Sequence, residues 1–103
     1  MNLDQLIMSK SLSVPSLGSG VFILFKNHRA VFIGSSAKFT AAVLIKHRNK
    51  DCDDLRFLRV PPKDRRLVES AFIQILCPKY NRVNRWVDDA RKVAEAALNR
   101  YVK

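Results

Sequence analysis

The sequence predicts one small α+β domain, on the basis of three observations. Two apolar runs, 21–25 and 30–33, are separated by the polar residues 26–29, which is the pattern of a β-hairpin. A shorter apolar run, 55–60, follows a charged loop and ends at a pair of prolines, as a third strand would. Around these runs, apolar residues recur every three or four positions, which is typical of amphipathic helices.

Length and composition are those of a single domain spanning 1–103. A chain of 103 residues with 48% hydrophobic residues supports one modest core. The two cysteines, Cys52 and Cys77, form no CxxC pair and have no clustered histidines, so we expect free thiols and no structural zinc. No apolar run approaches the roughly 20 residues that span a bilayer. The N-terminal charge order differs from that of a secretory signal. We therefore expect a cytoplasmic protein with no membrane partner.

The strong positive charge indicates a polyanionic partner. Nineteen Lys and Arg against nine Asp and Glu give a net charge of +10. Such an excess repels copies of the chain from one another and attracts nucleic acid, which is the first partner to consider. An acidic protein or an anionic surface would satisfy the same charge.

Two helices are predicted in the first half of the chain. Residues 1–13 hold a short helix in which Leu3, Leu6 and Ile7 share one side. The second strand is expected to break at Gly34, after which a Ser hydroxyl caps a helix that runs through 39–47.

Two further helices are predicted in the second half. One starts near Lys63 or Asp64 and stops before Pro78. The other, 84–103, has the clearest amphipathic pattern, and its Trp86 is expected to pin it to the domain. Its apolar face either packs on its own sheet or forms a homodimer. Alanines on that face favour packing within the chain.

The carboxylate of Glu69 lies on the apolar stripe of its helix. Phe72, Ile73 and Leu76 follow it at steps of three, four and seven. A carboxylate in such a place needs a cation, a hydrogen-bond donor or a metal. A surface ion pair with Arg65 or Arg66 is one interpretation, and a metal site is the other.

Three motifs together resemble the GIY-YIG nuclease family over 14–81. They are Gly20-Val21-Phe22, Phe32-Ile33-Gly34, and a downstream motif anchored at Glu69, Phe72, Ile73, Leu76, Pro78 and Asn81. The resemblance implies a three-stranded antiparallel sheet flanked by helices, to which the helix at 84–103 is an addition.

The resemblance also implies a site. Its glutamate, Glu69 here, would hold one divalent metal such as Mg²⁺ beside the scissile phosphate. The family's two tyrosines fall on Phe22 and Phe32, which have no hydroxyl. Its arginine falls on Ala42. Its histidine falls on Lys46, so that His47 is either a shifted equivalent or an ordinary helix-end residue.

These replacements predict a loss of catalysis. A general base contributes about 10²- to 10⁴-fold to the rate, and one charge donor contributes about 10²- to 10³-fold. Losing both would lower the rate on the order of 10⁴- to 10⁷-fold, and by less where the two effects are not additive. We therefore expect a nucleic-acid binder on a catalytically degraded scaffold. The resemblance suggests a regulatory or interference role in a phage or mobile element. The alternatives are a metal-dependent endonuclease with a variant base and a basic protein-interaction module with an acidic partner.

Basic residues around the implied site are expected to contact DNA, or else structured RNA. Phosphate contacts of this kind fix position without reading sequence. The expected contact residues are Lys38, Lys46, Arg48, Arg56, Arg59, Lys79, Asn81 and Arg82.

Overall fold

The computed structural model describes residues 2–10, 18–38, 49–83 and 85–101. The predicted helix at 39–47 lies outside the described residues, as do Ala42, Lys46, His47 and Arg48. In chain order, the elements are α1 (Leu3–Lys10), β1 (Gly20–Lys26), β2 (Arg29–Ser36), β3 (Asp54–Arg59), α2 (Pro62–Leu76) and α3 (Ala90–Arg100).

The three strands form one antiparallel sheet in the order β2-β1-β3. Strand β1 is central because its apolar residues, Val21 to Phe25, are buried on both faces. Strands β1 and β2 are joined by Asn27 and His28, whose φ angles of 51° and 65° are those of a tight hairpin turn that matches the twist of the strands. The α+β class and the three-stranded antiparallel sheet are confirmed.

The second strand is longer than predicted. It does not break at Gly34 but continues to Ser36, because Gly34 pairs with Phe22 and Ser35 pairs with Val21 on β1. A Cβ added at Gly34 would lie 2.4 Å from Cζ of Phe22, so the missing side chain leaves room for that ring. The glycine therefore extends the sheet instead of ending it.

The two faces of the sheet carry different clusters. Val21, Ile23 and Ile33 face α2, where they pack with Val68 and Phe72 in the main core. The alternate positions carry the other cluster, which contains Phe22 and Phe57 with Phe32 and Leu55 against them. This alternation places the aromatic rings of both triplets on the sheet face that α2 does not cover.

Helix α2 agrees closely with its prediction. It begins at Pro62, where a missing N–H and a fixed φ suit the first helical turn. It ends at Leu76 and is capped by Cys77, which has a left-handed φ of 46° and donates its N–H to the carbonyl of Ile73. Cys52 and Cys77 are free thiols, as predicted. None of the helices in the described ranges combines the length and apolarity that crossing a bilayer requires.

The prediction for the start of the C-terminal helix is wrong. Within the described residues, α3 begins only at Ala90, because Asp89 adopts a left-handed φ of 54° that interrupts the helical path. Trp86 does not pin the helix, since its side chain is 74% exposed. Val87 does so instead: it is buried against Ala71 and Ala90.

Helix α3 packs within its own chain. Ala94, Ala97 and Leu98 are buried in the main core together with Leu3 and Ile7 of α1. The apolar face that would serve a homodimer is therefore covered by the chain itself over the described part of this helix.

The end of α3 is also tied to α2 by a polar contact. The Tyr101 hydroxyl donates a hydrogen bond to the carboxylate of Asp64, in the first turn of α2. This bond, with a smaller effect of burial, raises the pKa of the Tyr101 phenol above its usual 10.0. The folded state therefore favours the protonated phenol.

We expect this contact to make stability fall in alkaline solution. Because the folded pKa of Tyr101 is raised, its contribution is fully present below a pH of about 10 and disappears as the pH rises through the folded value. Urea denaturation of the parent and of Tyr101→Phe should differ most at neutral pH and converge in alkali. A difference that stays constant with pH would contradict the coupling.

Candidate functional site

The carboxylate of Glu69 is tied to the sheet by one hydrogen bond. The Ser35 hydroxyl, near the end of β2, donates to Oε1 of Glu69 at 2.7 Å. Ser35 lies on the α2 side of the sheet because it pairs with Val21. The contact therefore joins helix and strand where β1 begins, and it fixes the direction of a half-buried carboxylate.

Glu69 lies in a pocket of ≈ 330 Å³ that carries charges of both signs. Its lining residues are Ser35, Arg66, Glu69, Ser70 and Arg85. Arg66 and Arg85 are exposed, so their guanidinium groups are available to solvent and to ligands. Guanidinium groups bind phosphate oxygens in pairs, whereas a carboxylate oxygen binds a hard cation. The pocket therefore suits a phosphate group accompanied by a divalent cation.

The expected ion pair between Glu69 and Arg65 or Arg66 is not formed. Among the described residues, the hydrogen-bond partner of the Glu69 carboxylate is Ser35, and no basic side chain forms an ion pair with it. Arg65 has its Nε and Nη1 atoms buried with no hydrogen-bond partner in the described part of the chain. Within the described ranges, Glu69 is thus held by a neutral donor and forms no ion pair.

The rings at the two triplet positions contact each other. The centroids of Phe22 and Phe32 are 5.9 Å apart, with an angle of 45° between the rings. They lie on the face opposite to the one where Ser35 meets Glu69. The two sets of residues come closest at Gly34, which pairs with Phe22 and precedes Ser35. Phe22 thus lies near the end of the sheet where Ser35 meets Glu69, whereas Phe32 pairs with Leu24 in the middle of β1, and neither ring has a hydroxyl.

The predicted basic residues that fall within the described ranges are not among those that line the pocket. Lys38, Arg59, Lys79 and Arg82 are exposed at other points of the surface. Arg56 is half-buried, and its Nε lies 3.1 Å from Oδ2 of Asp54 on the same strand.

The sequence carried only part of the signal for the pocket arginines. Arg66 stands three residues before Glu69 and so shares its helix face, which spacing alone indicates. Arg85 has no such signal, because its position depends on the path of the chain after α2. Ser35 was likewise missed, since its partner is remote in sequence.

Asn81 has a structural role in this fold. Its Oδ1 accepts a hydrogen bond from the Ile33 N–H at 2.7 Å, and its Nδ2 donates to the Ile33 carbonyl at 2.9 Å. The neighbouring Tyr80 N–H donates to the carbonyl of Val31 at 2.9 Å. These bonds attach Tyr80 and Asn81, at the end of the downstream motif, to β2. The amide of Asn81 is therefore hydrogen-bonded to the backbone and is not directed at a ligand.

The side chains of the pocket fit a magnesium ion that takes few of its ligands from the protein. No three His, Cys, Asp or Glu side chains converge within the described ranges. Mg²⁺ is nevertheless often held by one or two carboxylates, with water and substrate phosphates completing its shell. Glu69 offers Oε2 for that purpose, since Oε1 accepts from Ser35 and the pocket has room for solvent.

Comparison with solved structures identifies the fold. The sheet order β2-β1-β3 and the helix that carries Glu69 define a small α+β domain. The N-terminal endonuclease domain of UvrC from Thermotoga maritima, bound to magnesium, aligns over 80% of this chain and 100% of its own, with 19% identity and a TM-score of 0.56. A point mutant of that domain with asparagine replaced by alanine aligns over 80% of this chain and 99% of its own, with 16% identity and a TM-score of 0.56. The chain therefore has the GIY-YIG fold, as predicted.

Sequence comparisons add nothing to this result. No protein-family model matches the chain, and no curated protein matches it significantly. The solved structures include three point mutants of the same UvrC domain in which one tyrosine is replaced by phenylalanine, each bound to the catalytic divalent cation.

We expect Ser35 and Glu69 to be energetically coupled. In a double-mutant cycle of Ser35→Ala and Glu69→Ala, urea denaturation should give a coupling of about 1 kcal/mol, the usual value of one hydrogen bond. Ser36→Ala is the matched control: the Ser36 hydroxyl accepts from the Lys38 N–H, so its effect should add to that of Glu69→Ala. Additive effects of Ser35→Ala would contradict the contact.

Proposed function

We propose that this protein binds nucleic acid through the Glu69 pocket and has lost efficient phosphodiester hydrolysis. The observation that carries the proposal is the pair of exposed arginines, Arg66 and Arg85, beside the carboxylate of Glu69 on a nuclease fold. The net charge of +10 supports the same partner. DNA is the favoured ligand, and structured RNA is the alternative.

Each part of the pocket has a distinct role in this proposal. Arg66 and Arg85 bind phosphate oxygens of the backbone. Glu69 alone would repel those oxygens, so it would hold the divalent cation that accompanies the phosphate. Mg²⁺ held there would neutralise phosphate charge and polarise water. Ser35 keeps the carboxylate directed into the pocket.

The missing chemistry is the transfer of a proton. Phe22 and Phe32 fill space in the apolar cluster but can neither give nor take a proton. His28 lies in the hairpin turn, at the opposite end of β1 from Ser35, about 20 Å away at the usual strand rise. His28 therefore cannot serve as a replacement base for the pocket.

A protein of this kind acts by occupancy. It competes for a nucleic-acid site that an active nuclease or another binding protein would use, which is a regulatory or interference role of the type found in phages and mobile elements. Binding through phosphates gives such a competitor position without sequence readout.

Binding should be electrostatic and should depend on the pocket arginines. The affinity for labelled DNA, plotted as log K against log salt, should fall linearly, and Arg66→Ala or Arg85→Ala should each reduce the slope by about 1. Arg91→Ala is the matched control, because Arg91 is exposed on α3 and paired with Glu95. Absence of DNA binding would overturn the proposal and favour an acidic protein partner. An effect of Arg91→Ala equal to that of the pocket variants would overturn the assignment of the pocket.

Metal-dependent cleavage with a different base is the second candidate. Two observations favour it: Oε2 of Glu69 is available to a cation, and the tyrosine-to-phenylalanine mutants of the UvrC domain are bound to the catalytic cation. Replacing those tyrosines therefore does not by itself abolish a metal site of this fold.

A cleavage assay separates the two candidates. With Mg²⁺ or Mn²⁺, we expect the parent protein to cut plasmid and oligonucleotide DNA no faster than Glu69→Gln, whose side chain has nearly the same shape without the charge. Strand cleavage by the parent that disappears in Glu69→Gln would establish the enzyme and refute the loss of hydrolysis.

A further inference from the structure

Among the described residues, the side chain of Trp86 is the most exposed large apolar group. It is 74% exposed, and it is the one tryptophan of the chain. Val83, a few residues earlier, is 47% exposed. Tryptophan contributes more than most residues to a core or an interface when it is buried, so an ordered chain that leaves it outside has a surface suited to a flat, apolar ligand.

The position of Trp86 is fixed by the residue that follows it. The N–H of Val87 donates to Oε1 of Gln74 at 2.8 Å, and the Val87 carbonyl accepts from Nε2 of Gln74 at 3.1 Å. The Val87 side chain is buried against Ala71. The backbone next to the indole is therefore held on α2 by two hydrogen bonds and an apolar contact.

The charges around Trp86 are asymmetric. Arg85, the residue before it, lines the Glu69 pocket, and Arg82 is exposed further back along the chain. On the other side of Val87, Asp88 and Asp89 are exposed. The charges that immediately precede Trp86 therefore attract a polyanion, whereas the two carboxylates that follow Val87 repel it.

We infer that Trp86 stacks on an unpaired nucleobase of a strand whose phosphate lies in the Glu69 pocket. The proposal rests on the proposed function and specifies its ligand as single-stranded or locally unpaired nucleic acid. Arg85 lines the Glu69 pocket and is the residue directly before Trp86, so a strand that reaches the pocket passes close to the residue that carries the indole.

The chemistry of the patch favours a base over a protein surface. A base has a flat π-face that stacks on an indole, and its own phosphate pairs with an adjacent arginine. A protein interface of ordinary size buries about 800 Å² on each partner, whereas the exposed large apolar side chains in the described ranges are those of Trp86 and Val83. In a fully paired duplex the base faces are covered by their neighbours, so the ligand must present a base outside the stack.

Intrinsic fluorescence tests the stacking directly, because Trp86 is the only indole. The full chain is titrated with oligodeoxythymidylate, with a fully paired duplex, and with polyphosphate, which carries the charge but no bases. Quenching that saturates with oligodeoxythymidylate and is absent with polyphosphate is the expected result. Equal quenching by polyphosphate would overturn the inference, since it would show a response to charge alone.

Variants then measure the contribution of the indole, with affinity followed by the anisotropy of a labelled oligonucleotide. Trp86→Leu keeps an apolar side chain without a π-face, and it should weaken oligodeoxythymidylate binding on the order of 5- to 150-fold, the range of one base–aromatic stack. Binding of polyphosphate should not change. Trp86→Phe should recover part of the lost affinity, and Val83→Ala, the matched apolar control, should bind as the parent does.

The outcomes separate this inference from the proposed function. If the parent binds duplex and single strands alike and Trp86→Leu has no effect on either, the nucleic-acid function stands and the stacking is refuted. In that case a protein partner is the remaining candidate ligand of the indole. If neither nucleic acid binds, both proposals fail.

Discussion

The arrangement of this domain depends on the burial of both faces of strand β1. Residues Val21 to Phe25 are apolar and buried, so each face of the central strand must be covered by packed side chains. On one face the covering element is α2, through Val68 and Phe72. The position of α2 in turn places Glu69 beside Ser35, which pairs with the start of β1. The pocket is therefore a consequence of how the core is closed.

Two side-chain amides hold the chain after α2 against the elements before it. Asn81 bonds both polar groups of the Ile33 backbone, and Gln74 does the same for Val87. Each amide forms hydrogen bonds with one backbone N–H and one backbone carbonyl, as a neighbouring strand would. Between these two attachments the chain carries Arg82, Arg85 and Trp86. Trp86 thereby adjoins a fixed point of the chain at Val87, and Arg85 lines the pocket, which is how loops often carry function on a rigid scaffold.

The sequence could predict the elements that local patterns encode, but not the contacts between residues that are far apart along the chain. The hairpin, α2 and Glu69 follow from apolar runs and helical spacing, which are local. Trp86 continues the spacing of α3, but periodicity cannot register that Asp89 is left-handed and interrupts the helix. The contacts of Ser35 and Asn81 join β2 to residues 34 and 48 positions away, and no local pattern encodes them.

The neighbourhood of the pocket explains why a carboxylate is compatible with phosphate binding. Glu69 has no basic partner among the described residues, although Arg66 and Arg85 line the same pocket. If its role were only to stabilise the fold, an ion pair or a neutral side chain would serve better, because an uncompensated, half-buried charge is unfavourable. The Ser35 hydroxyl orients the carboxylate without neutralising it. An oriented negative charge in a pocket that two arginines also line suits a ligand that has both signs of charge, such as a phosphate with its divalent cation. In the proposed function the arginines would bind the anion, while Glu69 would make the binding depend on the cation that accompanies it.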